Sequence, residues 1–149
     1  GKWFVKEIVY GRWDIRETAA KILMKMRDYR PISVGIERGA LKNAVLPYLS
    51  DLMRKNNVYS HIVDLTHGNR KKTDRIIWSL QGRFEHGRIV LNSEEDWDEF
   101  KDQLLMFPAN GVHDDLPDAL SYIDQLAVTS YFQDDDEDEW EPLDIISGF

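Results

Sequence analysis

From residue 3 to residue 126, short apolar runs rich in β-branched residues alternate with segments of helical periodicity, and this alternation sets the class of fold open to the chain. Trp3 to Tyr10 alternates, with Trp3, Val5 and Glu7 against Phe4, Lys6 and Ile8, and ends at Gly11, the pattern of a strand. Asp14 or Thr18 can cap the next segment, where Ala19, Ile22, Leu23, Met26 and Tyr29 recur at helical spacing until Pro31 stops the helix. Ile32-Ser33-Val34-Gly35-Ile36 is short and apolar, as a buried strand should be. A second helix follows with Leu41, Val45, Leu49 and Leu52 on one face, and then a strand candidate from Val58 to Leu65. Thr66 to Lys72 is a polar, basic loop, and Thr73 or Asp74 should open a helix through Ile76, Ile77 and Leu80. Arg88 to Leu91 reads as a short strand. Trp97, Phe100, Leu104 and Leu105 mark a helix that stops near Pro108, and a last helix starts around Leu116-Pro117 and runs through Ala119, Leu120, Ile123 and Leu126. Pro117 suits a first turn, which has no backbone hydrogen bond to lose. The pattern predicts an α/β fold with a mixed or parallel sheet covered by helices.

The 149 residues, 42% of them hydrophobic, suit one compact domain. The absence of Cys excludes disulfides and thiolate metal sites. No apolar run approaches the roughly 20 residues that span a bilayer, so no membrane is expected as a partner. The opening Gly1-Lys2-Trp3-Phe4-Val5 lacks the apolar core of a signal peptide.

Charge is strongly segregated. Residues 134–149 hold eight acids and no base, and the remaining 133 residues are neutral, with 19 charges of each sign. Within them, residues 1–88 carry 18 Lys or Arg against nine acids, and residues 89–133 carry one Lys against ten acids. A basic half beside an acidic half fits a phosphate-binding face next to a metal-binding face, or ordinary surface charge. The division expected is a folded domain over 1–130 and an acidic tail over 131–149, too charged to pack. Leu143, Ile145, Ile146 and Phe149 close that tail as an apolar patch, which reads as a docking peptide or as solubilising chain.

Two places carry acidic chemistry. Glu37 follows the 32–36 strand and precedes Gly39 and a helix, at the carboxyl edge where open α/β sheets bind ligands; helix capping is the simpler role for a lone Glu. The second is His113-Asp114-Asp115-Leu116-Pro117-Asp118-Ala119-Leu120, with three carboxylates in five residues at the start of an otherwise apolar helix. They repel one another unless something neutralises them, and a hard divalent cation such as Mg²⁺ or Mn²⁺ would. The alternative is capping, with Asp114 or Asp115 as N-cap and the others facing the helix dipole.

The stretch 113–120 resembles the closing signature of the nuclease domain in large terminase subunits of tailed bacteriophages. Val34-Gly35-Ile36-Glu37-Arg38-Gly39 resembles the strand bearing that family's middle carboxylate. Lys71, Lys72 and Arg75, then Leu80-Gln81-Gly82-Arg83-Phe84-Glu85 and Gly87-Arg88-Ile89, and an aromatic-rich helix closing at Phe107-Pro108, match in character, so the likeness covers roughly residues 3–127. It implies a ribonuclease-H-like mixed sheet flanked by helices, with three or more carboxylates around two Mg²⁺ or Mn²⁺ ions. Glu37 would be the middle acid, and the last would come from the cluster, with Asp115 and Asp118 preferred to Asp114. The family's first acid lies on a strand that precedes anything matching this start, and Asp14 does not replace it. The chain is therefore expected to be truncated within a nuclease domain and to cut poorly by itself.

The chemistry so implied is hydrolysis of concatemeric viral duplex DNA by in-line displacement at phosphorus, with two metals about 4 Å apart. Arg70, Lys71, Lys72 and Arg75 would contact phosphates, which position DNA without reading sequence. A solvated loop is the alternative, or entry of one lysine into the active site. His113 could orient a carboxylate or approach a metal, or serve as an ordinary hydrogen-bonded histidine. His61 and His67 have no ligand-like spacing. The resemblance also implies as partners the portal protein, with the tail as the segment that would reach it, the small terminase subunit and an ATPase domain of the same longer chain, in the host cytoplasm. Two other classes share these features: a Holliday-junction resolvase or transposase core, and a non-catalytic α/β interaction module.

Overall fold

A computed structural model describes residues 1–68, 70–108 and 113–127. The expected domain boundary between residues 130 and 131 and the acidic tail over 131–149 lie outside the described residues. The elements in chain order are β1 (Trp3–Val5), α1 (Ile15–Tyr29), β2 (Ser33–Glu37), α2 (Ala40–Asn56), β3 (His61–Leu65), α3 (Lys72–Glu85), β4 (Ile89–Leu91), α4 (Asp98–Met106) and α5 (Asp115–Ser121). The fold is mixed α/β with parallel strand pairs. Among the described residues no helix is long and apolar enough to cross a membrane. The described residues form two compact units: residues 1–12 with 67–123, and residues 13–66 with 124–127.

In the second unit, α1 begins where expected. Asp14 takes the N-cap, its side chain accepting from the Glu17 amide at 2.8 Å, and Thr18 donates its hydroxyl to the Asp14 carbonyl. The helix ends at Arg30, left-handed at φ 48°, just before Pro31. Ala19, Leu23 and Met26 of α1 pack with Val45 and Leu49 of α2 and with Val58. β2 and β3 pair in parallel from Ser33 with His61 to Glu37 with Leu65, a β-α-β unit closed by α2. Two glycines make this possible. Gly39, at φ 153°, turns the chain from β2 into α2 through a region side chains avoid. A Cβ on Gly35 would come within 2.7 Å of a Leu65 methyl and 2.9 Å of a Leu126 methyl. The third strand is shorter than its apolar run, because Val58 is spent in the core, its amide bonded to the Met53 carbonyl behind α2.

In the first unit, β1 pairs in parallel with β4, Trp3 with Ile89 through Val5 with Leu91. The strand predicted over Trp3 to Tyr10 thus spans three residues. Its ladder stops at Asn92, which donates its amide to the Val5 carbonyl and its side chain to the Lys6 carbonyl, then turns the partner chain away. Ile76 and Leu80 of α3 pack with Ile89, Trp3 and Val5, and Trp97, Phe100 and Leu116 form an adjoining cluster. α3 starts before either predicted capping residue: Lys71 is its N-cap, and neither Thr73 nor Asp74 holds that place. This earlier start sets Lys72 and Arg75 three residues apart on one helix face.

Candidate functional site

α3 and α5 carry a dense ionic cluster within the first unit. Lys72 Nζ lies 2.7 Å from Asp114 Oδ1, 3.5 Å from Asp118 Oδ2 and 3.9 Å from Asp115 Oδ1. The other oxygen of Asp118 pairs with the Arg75 guanidinium, and both of these residues are buried. Arg75 also donates Nε to Ser121 Oγ at 3.3 Å and NH1 to His67 Nδ1, and stands over the Tyr122 ring at 4.5 Å. A guanidinium can only donate, so His67 Nδ1 is an acceptor here. Tyr122 Oη lies 3.1 Å from the same nitrogen, and Ser121 Oγ donates to the Asp118 carbonyl at 2.6 Å. Buried charge is tolerable only when it is paired and its remaining donors are satisfied, and this network does both for Asp118.

Asp115 and Asp118 lie in the first turn of α5, where the helix dipole favours them, but side-chain capping is absent. Asp114 occupies the N-cap position of α5, but its side chain makes no capping hydrogen bond. The amide of Leu116 is instead satisfied from α4 by Gln103 Oε1 at 3.0 Å, and the Asp118 amide closes the first turn on the Asp114 carbonyl. The Asp114 carboxylate is thereby left to face Lys72. Burial alone would lower the Lys72 pKa; the hydrogen bond it donates to Asp114 and the charges of Asp118 and Asp114 outweigh it and raise the value above that of an ordinary lysine.

The structure brings together Asp114, Asp115, Asp118, Lys72 and Arg75, and separates the basic residues predicted to share one phosphate-contacting role. Arg70 and Lys71 are exposed, with Arg70 stacked 5.4 Å from the Trp78 ring. Lys72 faces the acids. Arg75 differs most from expectation, since its guanidinium is enclosed by Asp118, His67, Ser121 and Tyr122. His113 is exposed. Glu37 ends β2 in the second unit, at the carboxyl edge of that strand pair. Beside it in that unit Asp64 on β3 pairs with the buried Lys42 and lies 3.4 Å from Arg38. Sequence reasoning missed Gln103, His67, Tyr122 and Asp64. Only Asp64 carried a signal, an acid within an otherwise apolar strand.

In ligand type, though not in arrangement, the acids of α5 match a divalent cation. Three carboxylates from one helix start already direct oxygens at a single positive charge, and carboxylate oxygen is the ligand Mg²⁺ and Mn²⁺ prefer. As the side chains stand, no group of three or more acids and histidines among the described residues is arranged to hold a metal, and the carboxylates of α5 face the Lys72 ammonium. A cavity of about 390 Å³ in the first unit, lined by Ile76, Leu80, Phe84, Leu104, Phe107 and Pro108 among others, is apolar and includes none of the three aspartates. Compared with protein-family models, curated proteins and solved structures, the chain shows no match.

Proposed function

We propose that this chain is a divalent-metal-dependent endonuclease acting on duplex DNA, with a ribonuclease-H-like fold and the role of a packaging nuclease in a viral large terminase. The observation that carries the reading is the convergence of Asp114, Asp115 and Asp118 on one cation while Gln103, not an aspartate, completes the helix start. Carboxylates serving only as caps would face backbone amides; these face a charge. Asp118 is held from behind by Arg75, which fixes one oxygen and leaves the other toward Lys72, the orientation a metal ligand needs from its supporting shell. A bound Mg²⁺ or Mn²⁺ supplies Lewis acidity at phosphorus and a nucleophilic water. Exposed Arg70 and Lys71 are the residues suited to DNA phosphates, and Glu37 is proposed as a further catalytic acid.

Incubation of the chain with supercoiled plasmid and millimolar Mn²⁺ tests this directly. Slow, Mn²⁺-dependent nicking that vanishes in both Glu37→Gln and Asp114→Asn is expected of a chain that lacks the family's first acid. A protein that binds Mn²⁺ through these acids and never cuts would be a non-catalytic module, and the nuclease reading would fail.

A further inference from the structure

Two features of the chain have no place in the acid cluster, and each supplies what the other lacks. The first is the apolar groove of about 390 Å³ between α3 and α4, within the range of roughly 300–1,000 Å³ that accepts ligands. Ile76, Leu80 and Phe84 line it from α3, Leu104 and Phe107 line it from the other side, and Glu85 is its one charged lining residue. The apolar surface continues outward: Ile77 at the groove is partly exposed, and Trp78 and Leu105, chain neighbours of lining residues, are 75% and 82% exposed. Single exposed apolar residues are ordinary, but several beside one apolar groove mark a surface that another apolar group covers. The second feature is the segment 143–149, where Leu143, Ile145, Ile146 and Phe149 follow the acidic run and only Asp144 is charged.

We propose that the α3–α4 groove is the docking site of the chain's own segment 143–149, which lies outside the described residues. Chain length and point of departure favour this occupant. Tyr122 and Ile123 close the first unit, and the Arg75 guanidinium of α3 stands over the Tyr122 ring. Ile76, the next residue of α3, already lines the groove, which follows that helix to Glu85, about 14 Å further on at 1.5 Å per residue. Twenty residues separate Ile123 from Leu143, a length that extends to roughly 66–72 Å. The segment therefore reaches every part of the groove. Its tether also holds it at an effective concentration on the order of millimolar, so a modest affinity suffices. Charge fixes which part of the tail fits. Exposed Asp98, Glu99 and Asp102 of α4, with Glu85 at the groove, repel the acids of 134–141 and leave the apolar 143–149 as the part that enters.

Because the chain has no Cys, Ser147→Cys carries a single nitroxide on the full chain, read by paramagnetic broadening of isotope-labelled amides. Amides of Leu80, Phe84, Leu104 and Phe107 should lose most of their intensity and recover it when the nitroxide is reduced. The double variant Ile145→Ser with Ile146→Ser should abolish that loss, and Ile77→Ser at the groove should weaken it. Should Ile77→Ser not fold, the double variant still decides, since its changes lie outside the described residues. A mixture of nitroxide-bearing chain without isotope and isotope-labelled chain without nitroxide separates the other occupant. Groove broadening in that mixture makes the occupant the tail of a second copy and overturns docking within one chain. No broadening at the groove, or broadening that survives the double variant, overturns the proposal outright.

Discussion

Asp118 and Lys72 show how one cluster can hold two kinds of ionic contact. The Asp118–Arg75 pair is buried, and removing one member of such a pair typically costs about 3–5 kcal/mol because the other charge is left without compensation. Lys72 still faces Asp118 in an Arg75→Met variant, so a loss near the lower end of that range is expected in urea unfolding. Arg75→Lys should recover little, since an ammonium cannot reach Asp118, Ser121 and His67 together. Lys72 contributes less. Its folded pKa lies above the unfolded value, so its stabilisation is complete below the unfolded lysine pKa and is lost as pH rises through the folded one. With the side chain 39% exposed, solvent screening limits that contribution to about 1 kcal/mol or less. The stability gap between wild type and Lys72→Met should therefore hold steady to about pH 9 and narrow above about pH 10.4. A gap that stays unchanged through roughly pH 11 would show that the Lys72 charge contributes nothing to it.

At the scale of elements, helix starts and close approaches decide the local architecture. The start of α5 depends on a residue of α4, because Gln103 supplies the acceptor for the Leu116 amide. Gln103→Leu leaves that buried donor without its partner and should cost about 1–3 kcal/mol, whereas Asp114→Asn, which removes no capping bond, should cost less. Thermal melts of the two variants give the order, and the reverse order would show Asp114 to be the true cap. The β2–β3 pair depends on a missing side chain. A methyl at Gly35 meets Leu65 and Leu126 below 3.0 Å, so Gly35→Ala should destabilise by about 1–3 kcal/mol through overpacking.

For the whole molecule, the division into two units with separate apolar clusters implies that stability is not uniform. Leu49 is fully buried in the α1–α2 cluster, and Leu49→Ala should cost about 2–5 kcal/mol. Native-state hydrogen exchange should show amides of α1, α2, β2 and β3 losing protection while those of α3 and β4 change less. Equal loss throughout would mean that both units unfold as one cooperative block.

Much of the order of elements was legible because it is written in local terms. Asp14 and Pro31 bound α1, the apolar run at 32–36 lies within one residue of β2, and α2 follows its predicted face through Val45 and Leu49. The acid cluster was equally visible, since three aspartates in five residues need no tertiary contact to be noticed. Lengths and partners were not. β1 is short because Asn92 ends its ladder, and α3 starts at Lys72 rather than at a capping residue, neither of which local propensity encodes. The same holds for the division among the basic residues. Arg70, Lys71, Lys72 and Arg75 look alike in sequence, and helix phase together with burial sends two of them to solvent, one to the acids and one into the core. Sequence by itself determined which charges the chain carries and roughly where its helices and strands fall, because periodicity and capping act over a few residues. Tertiary structure alone decided which charges face one another, because pairing depends on long-range packing that brings residue 72 to residue 114 and residue 75 to residue 118.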